Sequence, residues 1–311
     1  MVRVAVAGGT GNVSKEIVSI LGESGKHEIV VFTRSDPTKH SMKGVQFVQV
    51  DYNNKEDLKK NLNHVHTVLC FIWDASLQMS LIDCCIEAGV RRFAPNEWAA
   101  RCNAGIFQYA DKDIVHAYLQ KVNQEKKVIE YCLFQPGLFM NYLSSPIPST
   151  THHAIYTNMW DVANRRAIVP ADSDYRLTLT TIQDLARVVD EALGFEDEWP
   201  EVGGITGSST TSSEIIRIAE SIRGPFVIER VSKENLEAGK LATSWTPMLP
   251  EFPHLNFDMD WAVFSEQVIA EIMKGGLQGA WGVSDEWNKL LPDLKLTTLG
   301  EFLTRYWKSP S

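Results

Sequence analysis

The spacing of apolar residues along the chain changes period repeatedly, and each change marks a predicted element. Val2, Val4 and Val6 form a short β-branched run that breaks into Gly8-Gly9-Thr10-Gly11-Asn12-Val13-Ser14, after which Val13, Ile17, Val18 and Leu21 recur at helical spacing. This predicts a buried strand, a glycine turn and a helix beginning near Asn12, followed by a second strand over residues 28–33. The alternation continues with strands at 45–50, 68–72 and 92–94 and helices at 55–62 and 78–88. Strands alternating with helices predict an α/β doubly wound parallel sheet, whose ligands bind at the carboxyl ends of the strands.

The first turn is a nucleotide-binding pattern. A strand that stops at Gly8 and restarts as a helix aims free backbone N–H groups and the positive helix end at one point, where a pyrophosphate belongs. Gly8 permits the tight turn and Gly11 a close approach of the backbone; the third small position is held by Ser14, one hydroxymethyl larger than glycine. Gly8, Thr10, Gly11, Asn12 and Val13 are the candidate phosphate contacts. An ordinary tight turn is the alternative for the glycines alone, but the complete strand–helix–strand unit favours a dinucleotide. At the end of the second strand, where NAD-binding proteins usually carry Asp or Glu, the chain reads Thr33-Arg34-Ser35. A planar guanidinium can pair bidentately with a 2′-phosphate, and Lys39 and Lys43 add positive charge nearby, so NADP(H) is expected over NAD(H). A solvated arginine beside Asp36 is the competing reading. After later strands, Asp51 and Tyr52 fall on the adenine side and Phe71, Ile72 and Trp73 over the middle of the cofactor.

Composition narrows the class. With 311 residues, 44% hydrophobic and 22% charged, the chain can bury one large core or two closely joined ones. A formal net charge of -9 argues against a nucleic-acid partner, and the densest basic run, 121–127, reads as a solvated helix surface. No apolar stretch reaches the roughly 18 residues of a membrane span, and the first strand begins at once, so a cytoplasmic protein with no membrane partner is expected. The five cysteines lack metal-ligand spacing and are expected to be reduced; His152-His153 has no third ligand at a helpful spacing, so no metal is expected.

The chemistry should gather after the strand at 92–94, which runs into Pro95-Asn96-Glu97-Trp98. Tyr109-Ala110-Asp111-Lys112 then opens a helix in which Lys112 shares a face with Val115, His116 and Leu119, so its ammonium starts an inward face and needs a partner. The strand at 129–134 leads into Gln135-Pro136-Gly137-Leu138-Phe139-Met140-Asn141-Tyr142, an apolar loop suited to walling a nicotinamide and substrate pocket. Pro136 and Gly137 are assigned to the cofactor side, and Phe139 and Tyr142 to the substrate. A strand at 176–181, a helix at 182–193 and a short strand at 204–207 are expected to return to the nucleotide fold, while 145–169 and 229–309 supply a smaller interwoven cap. The expected division is therefore a Rossmann domain at 1–150, with returning segments near 176–207, and a mainly substrate-binding region at 151–311. The cap carries Trp160, Trp245, Trp261, Trp281, Trp287 and Trp307 with Phe252, Phe257 and Phe264. Most such aromatics are core, but Trp98 and Trp160 join Phe139 and Tyr142 as candidates for a flat hydrophobic substrate.

Taken together, Gly8-Gly9-Thr10-Gly11, Arg34, residues 92–98, Lys112 with Val115, residues 134–139 and 180–186 resemble the NmrA-like and isoflavone-reductase-like group of atypical short-chain dehydrogenases, particularly fungal members, over nearly the whole chain. The resemblance implies a catalytic role for Lys112 at the nicotinamide ribose and in proton transfer. The usual Tyr-x-x-x-Lys pair is absent: Tyr109 stands three residues before Lys112, and Asn96 occupies a place where many relatives carry serine. Lys112, Tyr109 and Asn96 are the catalytic candidates, with Asn96 and Lys112 also at the cofactor. The implied activity is NADPH-dependent reduction of a C=O, C=N or conjugated C=C bond in a small molecule of secondary metabolism. Two alternatives stay open: the same scaffold coupling reduction or acid catalysis to cyclisation, such as a cycloaddition, or to rearrangement; and a non-catalytic NADP(H)-sensing regulator. Homodimerisation also stays open.

Overall fold

The computed structural model describes residues 1–106, 109–251 and 259–308. The chain opens with β1 (Arg3–Ala7), α1 (Asn12–Ser24), β2 (Glu28–Thr33), β3 (Val45–Gln49), α2 (Lys55–Leu62), β4 (Thr67–Cys70), α3 (Ala75–Glu87), β5 (Arg92–Ala94), α4 (Ala110–Val122) and β6 (Glu130–Tyr131). These strands make a six-stranded sheet in the order β3-β2-β1-β4-β5-β6, and every pairing is parallel. The fold is therefore the expected doubly wound, Rossmann-like α/β sheet. Its centre is apolar without alternation because both faces are covered. Val4, Val6 and Leu69 pack on the α1 side, while Ala5, Ala7, Val68 and Cys70 pack on the α3 side.

The second half contains β7 (Leu133–Gln135), β8 (Leu138–Phe139), β9 (Trp160–Asp161), β10 (Arg166–Pro170), β11 (Arg176–Thr180), α5 (Ile182–Gly194), β12 (Val202–Gly204), β13 (Ser208–Thr211), α6 (Ser212–Arg223), β14 (Val227–Val231), α7 (Lys233–Glu237), α8 (Trp261–Leu277), α9 (Glu286–Leu290) and α10 (Leu299–Trp307). Its strands form separate small sheets, and helix α5 packs back against α1 of the first half. The single strand expected at 129–134 is divided: β6 pairs with β5 on one edge, and β7 pairs with β12 on the other.

Helix α5 returns as expected, its Ile182, Leu185, Ala186 and Val189 packing in one cluster with Ile17, Val18 and Leu21 of α1. The strand before it does not return. β11 lies between β8 and β13 in a separate three-stranded sheet. The cause is the turn at Gly137, where φ is +73° and a side-chain carbon would lie 2.3 Å from the Thr178 carbonyl oxygen. Only glycine lets the chain leaving β7 turn this close to β11 and pair with it as β8. The strand expected at 204–207 lies at Val202–Gly204.

The remaining elements enclose a second core that includes Met140, Leu143, Ile168, Leu179, Met273 and Phe302. Trp160 belongs to this core: it is 2% exposed, and its Nε1 donates to Ser212 Oγ at 2.8 Å. That placement corrects its assignment to a substrate surface. Phe252, Phe257 and Ser309, named above for the cap, lie outside the described residues. Among the described residues, no helix is long and apolar enough to cross a membrane, and no three His, Cys, Asp or Glu side chains gather as a metal site.

Candidate active site

The turn after β1 has the geometry that its glycines imply. Gly8 sits at φ +74°, and a side-chain carbon there would come within 2.9 Å of the Phe71 carbonyl carbon at the end of β4. Helix α1 starts at Gly11 with no side-chain cap and no acidic residue in its first turn, so its leading N–H groups are open to an anion. Ser14 does not disturb the turn. It is 1% exposed, and its Oγ donates to the carbonyls of Gly8 and Gly11 at 2.9 and 3.0 Å, cross-linking the loop from behind. The cradle fits a pyrophosphate.

At the ends of β2 and β3 a cavity of about 450 Å³ is lined by Arg34, Asp51, Tyr52, Asp57 and Leu77, among others. Arg34, Asp51 and Tyr52 are thus brought together as expected. The Tyr52 hydroxyl reaches toward both the Gly8 N–H and the Phe32 carbonyl, at 3.4 and 3.3 Å, tying this cavity to the phosphate turn. Asp36 turns to its own segment, accepting from the N–H and hydroxyl of Thr38 at 2.9 and 2.7 Å. Lys39 is exposed at the end of the same short turn and is not part of the cavity wall.

Lys112 lies in the first turn of α4 and is only 6% exposed. Its ammonium donates to the main-chain carbonyl of Glu97, sits 4.0 Å from the centre of the Tyr109 ring and 5.6 Å from that of Trp73. Burial pulls the Lys112 pKa down, against the pull of the Glu97 and Asp113 charges. The Glu97 carboxyl, 1% exposed, is pushed up by the same burial, against the opposing influence of Lys112. Two ionisable groups on facing segments are thus each drawn toward neutrality, a signature of acid–base sites. Asn96 does not touch Lys112. It precedes the Glu97 carbonyl that does, its N–H donates to Gln78 Oε1 at 3.0 Å, and its Nδ2 is buried without a hydrogen-bond partner among the described residues.

On the other side of Tyr109 from Lys112 opens a pocket of about 200 Å³, walled by Tyr109, Gly137, Phe139, Tyr142, Tyr156 and Trp281 together with Val268, Glu271 and Ile272 of α8. Phe139 and Tyr142, which the loop pattern assigns to the substrate, both line this pocket. Trp98 is not in this wall. It is 4% exposed, stacked between Phe71 and Phe134 with centroids 4.5 and 5.4 Å away, and its Nε1 donates to the Cys70 carbonyl at 2.8 Å. It is packed between two protein rings rather than set in the pocket wall, a correction to its assignment to substrate. Phe71 and Ile72 follow β4 directly and are half-buried. Sequence reasoning passed over Tyr156, Glu97 as a side chain, and the α8 wall. Trp281 was visible only as one aromatic among many, and no spacing linked these residues to Lys112.

The model of the NmrA-like family matches residues 2–303. Oxidoreductase BOA1 of Botryotinia fuckeliana (strain B05.10) is 30% identical over 243 residues, covering 72% of this chain and 77% of the relative. Oxidoreductase swnN of Metarhizium robertsii is 23% identical over 338 residues, covering 99% and 98%. A solved structure of the Citrobacter sp. triphenylmethane reductase complexed with NADP(H) matches with a TM-score of 0.66 at 20% identity, over 98% of this chain and 99% of that one. The structural likeness, at such low identity, speaks for the shared fold. The match of the family model from the first strand to the last helix, and the 30% relative with it, identify the chain as a member of the NmrA-like family.

Proposed function

We propose that the protein is an NADPH-dependent reductase of a small, flat, hydrophobic organic molecule bearing a C=O, C=N or conjugated C=C bond. The observation that carries this reading is the desolvated Lys112, set between the carboxyl edge of the parallel sheet and an aromatic pocket, on the same edge as an uncapped phosphate turn and Arg34. The names of the relatives, and the NADP(H) in the structural neighbour, agree with it.

In this reading Gly8, Thr10, Gly11, Asn12 and Val13 hold the pyrophosphate, Arg34 pairs with the 2′-phosphate, and Asp51 and Tyr52 flank the adenine. Phe71, Ile72, Asn96, Pro136 and Gly137 face the nicotinamide half. The bound nucleotide supplies the hydride. Lys112 supplies positive charge, or a proton, where negative charge develops on the substrate, and its burial makes that charge count for more than it would in water. The aromatic pocket excludes water and selects apolar shape.

The test is a fluorescence titration with NADPH and NADH, run beside Arg34→Ala. Tight NADPH binding that weakens selectively in the variant supports the reading and justifies a screen of aromatic carbonyls, imines and enones. Binding of neither nucleotide by the native protein overturns it.

A further inference from the structure

The aromatic pocket holds a polar pair that the reductase reading leaves unused. Tyr142 lines the pocket, and its hydroxyl lies 3.0 Å from Nε2 of His153. The His153 ring also meets Phe139 edge-on at 5.6 Å, so two pocket residues pack on it. Its other nitrogen, Nδ1, is buried with no hydrogen-bond partner among the described residues. We infer that the Tyr142 hydroxyl is the hydrogen-bond donor that holds the substrate's reacting oxygen, and that His153 is the positioning residue that aims it. This rests on the reading that the pocket receives the substrate.

The argument is one of satisfiable hydrogen bonds. If neutral His153 carried its proton on Nδ1, a buried N–H would be left unpaired, an arrangement that folded proteins avoid more strictly than an unpaired acceptor. With the proton on Nε2, only a lone pair is left over. The Nε2–H then donates to the Tyr142 oxygen, and the phenol proton turns to the adjoining Tyr156, whose ring centre is 4.6 Å away and with which it hydrogen-bonds until a substrate oxygen in the pocket takes its place. Burial holds the His153 pKa down at about 4, with Glu16 opposing, so the ring is neutral near pH 7. Burial and then the neighbouring Tyr156 and Tyr109 phenols push Tyr142 well up, so it stays a donor. No proton transfer is required of it. A preoriented phenol O–H stabilises negative charge as that charge develops on an oxygen.

The loop that carries His153 is fixed from the nucleotide side. The carboxylate of Glu16, in the second turn of α1, accepts the N–H groups of Thr151 at 3.1 Å, His152 at 2.6 Å and His153 at 3.4 Å, and the Gln183 amide at 3.4 Å. Glu16 is 4% exposed, so this buried carboxylate is held by a cluster of donors. The helix whose N-terminus forms the phosphate cradle thereby sets the position of the group that aims Tyr142.

The tautomer can be read without any substrate. Long-range ¹H–¹⁵N spectra of the full chain labelled with [¹⁵N]histidine, with the His153 signals identified by their loss in His153→Gln, are expected to show a neutral Nε2–H ring between pH 6 and 8. A neutral Nδ1–H ring or an imidazolium overturns the inference. Menadione is the probe for the pocket. Its binding to the protein–NADP⁺ complex should weaken about tenfold in Tyr142→Phe, as the loss of one hydrogen bond implies, and its reduction by NADPH should lose about 10²-fold in kcat. NADPH affinity should not change. His153→Leu should reproduce the Tyr142→Phe loss, His153→Gln should restore most of the rate by donating its amide N–H, and Tyr142→Phe/His153→Leu should be no worse than Tyr142→Phe alone. Native kcat in Tyr142→Phe, or additive losses in the double variant, would refute the pairing. A native protein that binds NADPH but leaves menadione unreduced counts against the reductase reading for quinones, while the tautomer and the menadione binding series still decide this inference.

Discussion

The two recognition regions of this molecule differ in every physical respect. The outer cavity, about 450 Å³, is built by the segments just after β2 and β3 together with Asp57 of α2 and Leu77 of α3, and presents charged and polar groups to solvent. The inner pocket, about 200 Å³, takes one wall from the turn before α4, one from the loop after β7, one from Tyr156 and one from α8. The outer region can recognise charge with a single exposed guanidinium and open backbone N–H groups, because the ligand brings the charge. The inner region works by removing water: Lys112, Glu97, Tyr109 and Tyr142 all have pKa values displaced chiefly by burial. Under the proposed function, specificity for the nucleotide is electrostatic and local, whereas reactivity depends on enclosure.

Substitutions can break this division. The largest effect is expected from Lys112→Ala: kcat should fall on the order of 10²–10⁴-fold, with the Kd for NADPH changed only slightly, as separated by single-turnover kinetics and nucleotide titration. Native turnover in that variant would sink the enclosed-lysine reading. Arg34→Ala should act on the other region alone, reducing the preference for NADPH over NADH by roughly 10–100-fold, the worth of a charge-assisted hydrogen bond, with little change in kcat at saturating NADPH.

The pH profile sharpens the comparison further. Burial brings Lys112 from 10.5 down to about 8, so its ammonium is present below that pH and lost above it. Reduction should therefore decline as pH rises through about 8. Because the Glu97 carboxylate pulls the Lys112 pKa upward, Glu97→Gln should move this limb to lower pH, while NADPH affinity remains flat across the same range. An alkaline limb unmoved in Glu97→Gln would break the link between the two groups.

Trp98→Phe should cost about 1–3 kcal/mol of stability, since the Cys70 carbonyl loses its buried donor, seen as a lowered Tm with substrate KM unchanged. A raised KM with native stability would return Trp98 to the substrate wall. The smallest effect is expected from Tyr109→Phe, less than about threefold in kcat/KM, because Lys112 sits over the ring and phenylalanine keeps that face.

The outer region was legible because its residues are neighbours in sequence. Gly8 to Val13 and Arg34 belong to one strand–helix–strand unit, and periodicity alone places the end of β2 within reach of the turn. Helices α1 and α2 and strands β2 and β5 begin or end where the apolar pattern changes, and Lys112 was marked by sharing a helical face with Val115 and Leu119. The inner region was legible only in part. Phe139 and Tyr142 stood out as apolar and aromatic side chains in a loop, but Trp98 and Trp160 looked equally suitable and are core. An aromatic residue carries no local mark of whether its partner is a protein ring, as Phe71 and Phe134 are for Trp98, or open space.

The parallel sheet, the glycine turn, the arginine after β2 and the inward face of α4 are written in the chain itself, because each follows from backbone periodicity and from contacts only a few residues apart. Folding of the whole chain is needed for Ser14 to brace the turn, for β11 to pair with β8 outside the main sheet, and for Tyr142 and Tyr156 to share a pocket with Tyr109, whose ring faces Lys112, while His153 packs on Tyr142. Those outcomes depend on long-range packing, such as the close approach of Gly137 to Thr178. Desolvation of Lys112 follows from the enclosure that such packing creates, and no one segment of the chain specifies it.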